Sequence, residues 1–275
     1  MSNHPLIDKL DSNVLTNLGL MDNEKLIIAG PCAVESYEQM KKIADELVKN
    51  DIKFLRAGAF KPRTSAYDFQ GLELEGLNIL KRIKNEYNLK IVSEIPSAEY
   101  LQEFIDVVDI IQVGARNMQN FYLLKALSKI NKPVLLKRGF ANTLEEWLCA
   151  AEYLLIGGNN QVILCERGIR TFETITRNTL DLGSVVTIKQ HYHIPIIVDP
   201  SHACGNDKLV LPLSLASLVA GADGLIVEIH PNPKVSLSDS AQALSFDECD
   251  ELIKTIKKLN KIVEQSYSYY SNSNT

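Results

Sequence analysis

The sequence predicts an α/β protein, a single closed (β/α)8 barrel with a short N-terminal extension, and two observations carry that expectation. Eight short apolar runs recur along the chain with amphipathic segments between them, and nearly every run stops at a residue able to do chemistry. The runs are continuous rather than alternating, as in VVDIIQV and IPIIVD, which suits strands covered on both faces and hence a parallel sheet. Polar groups at the carboxyl ends of parallel strands are what a barrel needs when its active site lies on one rim. The length of 275 residues is close to the roughly 250 typical of that architecture.

The elements follow in order. Residues 1–23 are polar, lie outside the repeat, and are expected to cap the closed end of the barrel or mediate subunit contacts. The first run, LIIAGPC, ends at Cys32. A helix follows, with Met40, Ile43, Ala44, Leu47 and Val48 at helical spacing and Ser36 as its N-cap. FLRAG carries Arg56 and leads into KPRTS, which holds Lys61, Arg63, Thr64 and Ser65; a helix is then expected over 71–88. KIVSEI holds Glu94 before a helix at 97–106, and IIQVGAR ends at Arg116 before one at 119–130. VLLKRG holds Lys137 before a helix at 143–156, and VILCERG holds Arg167 before one at 174–191. IIVDPSH ends at Asp199, Ser201 and His202, followed by an almost wholly apolar helix at 211–220. GLIVEIH holds Glu228, and a last helix is expected over 246–265. The barrel is thus assigned to 24–265, and the low-complexity residues 266–275 to a frayed tail. An open doubly wound sheet would want a glycine-rich fingerprint after its first strand, and AGPCAVES is not one.

Composition narrows the function. A net charge of −5 argues against general nucleic-acid or acidic-membrane binding. No apolar stretch approaches the roughly 18 residues of a membrane span, and the start, MSNHPLIDKL, shows no signal peptide. Five cysteines without close-set pairs favour reduced thiols and a cytoplasmic location. Cys149, Cys165 and Cys249 read as small core residues.

Cys32, His202, Glu228 and Asp239 are far apart in sequence, yet three end strands one, seven and eight, which are neighbours in a barrel; Asp239 lies in the next loop. A thiolate, an imidazole and two carboxylates suit a divalent transition metal such as manganese, iron, cobalt or zinc. Singly, Cys32 could be a buried rim thiol, His202 a loop cap and Asp239 a turn residue. Glu228 inside an apolar strand needs a partner. His230, two residues on and so on the same face, is a competing ligand or a supporting partner, whereas His4, His191 and His193 are read as having no role in chemistry.

Arg56, Lys61, Arg63, Arg116, Lys137 and Arg167 fall at or just beyond strand ends. Six cations on one face of an acidic protein suit a small polyanion, with Arg pairing bidentately and Lys acting as a point charge. Arg138 should point away if its strand continues. Thr64 and Ser65 could donate hydroxyl and backbone N–H groups to a phosphate.

AGPCAVES, LRAGAFKPRTS, QVGARNMQN, LLKRG, ILCERGIRTF, DPSHACG and GLIVEIHPNP together resemble 3-deoxy-D-arabino-heptulosonate 7-phosphate (DAHP) synthase. The resemblance is to its short form, related to 3-deoxy-manno-octulosonate 8-phosphate synthase, and covers about residues 24–265. It implies a barrel that condenses phosphoenolpyruvate with erythrose 4-phosphate, the entry step of the shikimate pathway. By motif, Cys32, His202, Glu228 and Asp239 would hold the metal, with manganese foremost. Arg56, Lys61, Arg116, Lys137 and Arg167 would hold phosphoenolpyruvate, and Arg63, Thr64 and Ser65 the sugar phosphate. Glu94 would stand beside the enol carbon, Lys61 would serve as general acid, and Asp199 and Ser201 would line the aldose end. Cys32 is expected to be a thiolate with metal bound, and prone to oxidation once metal is lost.

The sister octulosonate synthase is the alternative; KPRTS matches the heptulosonate pattern, where the other enzyme typically carries an ANRSS-like loop. Two further readings are a Schiff-base aldolase using Lys137 and a catalytically silent metabolite-binding barrel, though no ligand or cation is missing here. The resemblance also suggests a homotetramer. With residues 1–23 before the first strand and little after the last helix, no fused regulatory domain is expected. Nor, then, is intrinsic feedback inhibition by phenylalanine, tyrosine or tryptophan; a separate regulatory partner is left open.

Overall fold

The computed structural model describes residues 3–63 and 65–272, with side chains through 260. Eight strands form one closed sheet in sequence order: β1 (Leu26–Gly30), β2 (Phe54–Arg56), β3 (Lys90–Glu94), β4 (Ile110–Val113), β5 (Val134–Lys137), β6 (Val162–Glu166), β7 (Ile196–Val198) and β8 (Gly224–Glu228). Every neighbouring pair is parallel. Helices α1 (Tyr37–Lys49), α2 (Glu73–Tyr87), α3 (Leu101–Val107), α4 (Phe121–Leu127), α5 (Leu144–Ile156), α6 (Leu182–His191), α7 (Asp207–Val219) and α8 (Phe246–Asn272) follow the strands in turn. This is a (β/α)8 barrel.

Side-chain parity explains how the strands load the rim. Successive residues of a strand point to opposite faces. The barrel interior is filled by Leu26, Ile28, Phe54, Val92, Ile110, Leu135, Ile163, Cys165, Ile197 and Ile226. Two residues on from the last of these in each strand stand Gly30, Arg56, Glu94, Gln112, Lys137, Arg167, Asp199 and Glu228. The rim residues are therefore the next inward layer of the same register, made polar. Arg138 and Glu166 have the opposite parity and pair outside the barrel at 3.1 Å, where Arg138 also reaches Asp181 at 2.8 Å. Gly30 is required at its place: its φ is +154°, and a Cβ there would lie 1.9 Å from the Arg56 carbonyl oxygen.

The amino end of the barrel is closed by the chain that precedes it. A one-turn helix, Val14–Asn17, sends Val14 into the interior cluster, joined by Leu18 and Leu20. Farther back, Glu152 of α5 accepts the backbone N–H groups of Leu6 at 2.7 Å and Ile7 at 3.1 Å.

Caps set the helix starts. Ser36 accepts from Gln39 N at 3.1 Å, and Thr143 forms a capping box with Glu146. Two expectations are corrected. The helix read at 174–191 begins only at Leu182, because Asp181 caps it by accepting from Ser184 N. The preceding stretch is instead a loop tied by an Ile169–Thr179 bridge. Cys165 and Cys249 are buried, but Cys149 is half-buried beside Glu145 and the Asn3 carbonyl, each 3.9 Å from its Sγ, because its helical position faces the N-terminal segment. None of the five cysteines is paired. Backbone helix continues through 266–272 in α8, and residues 273–275 lie outside the described residues. Among those described, no helix is long and apolar enough to cross a membrane.

Candidate active site

Strands β1 and β8 are in register from Leu26↔Gly224 to Gly30↔Glu228, so Cys32 emerges directly above Glu228. Asp239 returns from the loop after β8. Its φ of +50° is a left-handed conformation that Asp tolerates better than most residues. One ligand atom each from Cys32, Glu228 and Asp239 lie within 4.8 Å of one another. His202 completes the quadrant from a short helix, Pro200–Cys204: its Nε2 is 3.5 Å from Glu228 Oε1 and 3.9 Å from Asp239 Oδ2. Asp199 Oδ2 accepts from His202 Nδ1 at 2.7 Å. That bond places the ring proton on Nδ1 and turns the lone pair of Nε2 toward the carboxylates, the arrangement common to ligating histidines.

Every anion in this quadrant is already answered by protein. Glu228 is fully buried, pairs with Arg56, and accepts from Gln242 Nε2 at 2.6 Å. Asp239 accepts from the Cys32 thiol at 3.0 Å and from Arg177 at 3.1 Å. Cys32 Sγ accepts in turn from Lys61 Nζ at 2.9 Å and Ser238 Oγ at 2.8 Å. The electrostatic result is uneven. Burial and then the Glu228 charge push the Cys32 thiol up to about 12, against the opposing pull of Lys61. Burial also disfavours charge on Glu228 and Asp239, yet His202, with Arg56 at the first and the Cys32 hydrogen bond and Arg177 at the second, holds both below the usual carboxylate range. Burial lowers His202 despite the neighbouring Asp199 charge.

Beside this quadrant a cavity opens at the carboxyl end of the barrel, lined by Lys61, Arg63, Glu94, Arg116, Lys137, Arg167 and His202, with Phe140, Arg177 and Asp239 among its other walls. Lys137 pairs with Asp199. Arg63 bonds Ser238 Oγ and the Phe69 carbonyl. Arg167 is buried, and its guanidinium donates to the carbonyl oxygens of Gly168 and His202, at 3.2 and 3.3 Å, with no ion pair among the described residues; burial lowers its pKa. Arg116 has no hydrogen bond or ion pair among the described residues and lies over the Phe140 ring. Glu94 accepts from Gln112 at 2.9 Å. Gly114 makes room for it, since a Cβ there would come within 2.0 Å of Glu94 Oε1.

Not every candidate faces the cavity. Asp199 is buried and turned to Lys137 and His202. Ser201 is buried too, its Oγ accepting from Glu228 N at 3.0 Å. Ser65 sits in a turn where its Oγ accepts from Tyr67 N at 3.3 Å, away from the cavity lining, and Thr64 lies outside the described residues. His230 is turned from the cluster: its Nδ1 accepts from Asn232 N at 3.1 Å, and its Nε2 faces Glu35 at 3.6 Å. Glu35, unnoticed in the sequence, accepts from Leu237 N at 2.9 Å and Ser236 Oγ at 3.2 Å, tying the Cys32 loop to the Asp239 loop. Arg177, Gln242, Ser238, Gln112 and Phe140 were missed as well. Arg177, Gln242 and Ser238 lie in loops with no strand end to mark them; Gln112 is inward by parity, and Phe140 by following Lys137.

The sequence pattern of the DAHP synthetase I family matches residues 16–265. The chain belongs to that family. A Thermotoga maritima relative, named phospho-2-dehydro-3-deoxyheptonate aldolase, is 52% identical over 233 residues, covering 85% of this chain and 69% of the relative. A Desulfotalea psychrophila relative, named 2-dehydro-3-deoxyphosphooctonate aldolase, is 30% identical over 258 residues, covering 87% and 91%. Two solved structures from Thermotoga maritima share the fold. One, of the DAHP synthase, has a TM-score of 0.85 at 49% identity over 87% of this chain and 70% of that one. A truncated form of the synthase has a TM-score of 0.81 at 46% identity over 87% of each. This member of the DAHP synthetase I family is therefore a barrel enzyme of the transferase type, with a candidate metal-binding cluster at Cys32, Glu228 and Asp239.

Proposed function

We propose that the chain is a metal-dependent DAHP synthase condensing phosphoenolpyruvate with erythrose 4-phosphate. The observation that carries this reading is one cavity with two unlike walls: an anionic quadrant suited to a cation, and a cationic wall with unpaired guanidinium groups. Its KPR segment, the feature separating the heptulosonate from the octulosonate pattern, lines the cavity with Lys61, Pro62 and Arg63.

The residues fit a divalent transition metal. A thiol, an imidazole and two carboxylates form a mixed S, N and O set, and a lone pair facing a carboxylate oxygen across 3.5 Å is an arrangement that a cation between them relieves. Cys32, His202, Glu228 and Asp239 would hold it, with manganese as the first candidate and iron, cobalt or zinc behind it. Bound there, the ion would supply Lewis acidity toward the aldehyde oxygen of the sugar.

The chain's own groups account for the rest. Arg116 and Arg167, unpaired, and Lys137 take the carboxylate and phosphate of phosphoenolpyruvate. Arg56 stands behind them, bound to Glu228. Arg63, with Thr64 of its loop, serves the sugar phosphate, while Ser65, turned from the cavity, is left without that role; Asp199 and Ser201 act through His202 and Glu228. C3 of phosphoenolpyruvate attacks the aldehyde carbon, C2 gains cationic character, water adds there, and phosphate leaves by C–O cleavage. Lys61, at the mouth of the quadrant, gives a proton to the new alkoxide. Glu94, fixed by Gln112, orients the attacking water. A homotetramer is proposed with it; the exposed Phe172 and Ile175, 98% and 87% accessible in the single chain, are apolar surface that assembly would cover.

Consumption of phosphoenolpyruvate, followed by its ultraviolet absorbance, tests the reading with erythrose 4-phosphate and arabinose 5-phosphate in parallel. Turnover with the four-carbon sugar, abolished by chelation and restored by manganese, is expected. Preference for the five-carbon sugar would assign the octulosonate reaction instead, and turnover that survives chelation would remove the metal.

A further inference from the structure

Three guanidinium groups share one aromatic ring at the rim. The Cζ atoms of Arg116, Arg167 and Arg170 lie 5.6, 4.9 and 4.7 Å from the centroid of Phe140. None of the three makes an ion pair among the described residues. Three cations gathered with no carboxylate in direct contact among the described residues repel one another, and Arg167 is buried besides, the Asp199 charge acting on it only from farther off. Something must hold them, and the ring is the feature they have in common. Its π face attracts cations through the ring quadrupole but accepts no strong hydrogen bond, so the N–H groups of the guanidinium stay available. A carboxylate in the same place would hold the arginines more firmly, yet it would neutralise them and occupy the donors an anionic ligand needs. The ring is itself fixed by its backbone: the Phe140 carbonyl accepts from Arg170 N at 2.6 Å, joining the loops after β5 and β6.

We propose that Phe140 is a positioning residue for phosphoenolpyruvate, its ring aligning Arg116 and Arg167 while leaving their charge and donors to the substrate. This rests on the reading above, in which those two arginines receive phosphoenolpyruvate. The ring is assigned neither to the metal nor to proton transfer, so its loss is expected to weaken binding of one substrate and leave the chemical step in place.

Steady-state kinetics of the metal-loaded enzyme test this with Phe140→Leu, Phe140→Tyr and Arg116→Ala measured together. Phe140→Leu is expected to raise KM for phosphoenolpyruvate about tenfold, the effect of losing two partly screened cation–π contacts. Its kcat and its KM for the sugar should stay within about twofold of the parent. Phe140→Tyr, which keeps the π face, should restore the parent KM. If Arg116→Ala raises that KM and Phe140→Leu does not, the ring plays no part and the proposal falls alone. A Phe140→Leu enzyme impaired equally toward both substrates, or not rescued by Tyr, would make the residue merely structural. If Arg116→Ala leaves the KM unchanged, the phosphoenolpyruvate assignment itself fails and the proposal goes with it.

Discussion

Arg56 and Arg167 are two arginines of one rim, equally buried at 5% and 3% exposure, and they sit in opposite electrostatic situations. Arg56 is locked to Glu228 within the anionic quadrant. Arg167 has two carbonyl oxygens and the face of the Phe140 ring for company, and no ion pair among the described residues. A buried charge without a counter-charge costs stability, and a fold retains one where a ligand completes it. The comparison separates the rim into a half whose charges are mutually satisfied and a half that waits for an anion. The first half is neutralised before anything binds; the second is held in place but left for a bound anion to neutralise.

The largest effect is expected where the satisfied half is broken. Arg56→Met leaves Glu228 buried beside Cys32 and Asp239 with its guanidinium partner gone. Breaking a buried pair from one side costs about 3–5 kcal/mol, read as a lower urea midpoint at unchanged slope. Arg167→Met, of the same size and burial, removes a buried cation that had no ion-pair partner among the described residues, so its stability should match or exceed the parent. Equal destabilisation of the two variants would erase the distinction drawn between them.

The same Arg167→Met enzyme should show its loss in function instead. Truncating one side of a buried charge contact to a ligand costs about 2–5 kcal/mol, so kcat/KM for phosphoenolpyruvate should fall about thirtyfold or more. The variant would be stable and nearly inert. A loss under tenfold would mean that this guanidinium serves the fold and not the substrate.

How much of this was legible in the sequence follows the same division. Strand-end residues were readable because parity and barrel topology are periodic: once Phe54, Leu135 and Ile226 are inward, Arg56, Lys137 and Glu228 must be. Cys32 and His202 followed from the adjacency of strands one, seven and eight. Loop geometry was not readable. Arg177 and Gln242 reach Asp239 and Glu228 from segments with no repeat to place them, and the segment 174–181 was taken for helix because its apolar spacing ignored the Asp181 cap. The direction of Ser201 and Asp199, inward yet turned to partners, depends on contacts from other strands that one sequence does not display.

Gln242 offers a smaller and more pointed test of the satisfied half. It donates to Glu228 at 2.6 Å and accepts from Arg177 at 2.9 Å, so one amide orients a carboxylate without contributing charge. Groups that orient metal ligands typically supply about 10–100-fold in metal affinity. Gln242→Leu should weaken manganese binding by that factor in a chelator competition while the urea midpoint moves little. Unchanged affinity would leave Gln242 as loop packing.

The smallest effect is a slope, and its sign follows from the thiol. Cys32 must lose its proton to bind a metal, but burial and Glu228 push that thiol up to about 12. Between about pH 6 and pH 9 the metal-free site therefore carries a protonated Cys32. His202, lowered by burial, is neutral over most of that range, and Glu228 and Asp239, both held low, are already ionised. One ion bound should then release one proton, and affinity should rise about tenfold for each unit of pH. Cys32→Ser removes the titrating group and should flatten the slope as it weakens binding. Manganese affinity measured across that range decides between two descriptions of the quadrant. A slope of one fits a site held together by its own protons and cations until the metal arrives. A slope near zero would mean that Lys61 already keeps the thiolate formed, and the satisfied half would owe its balance to charge alone.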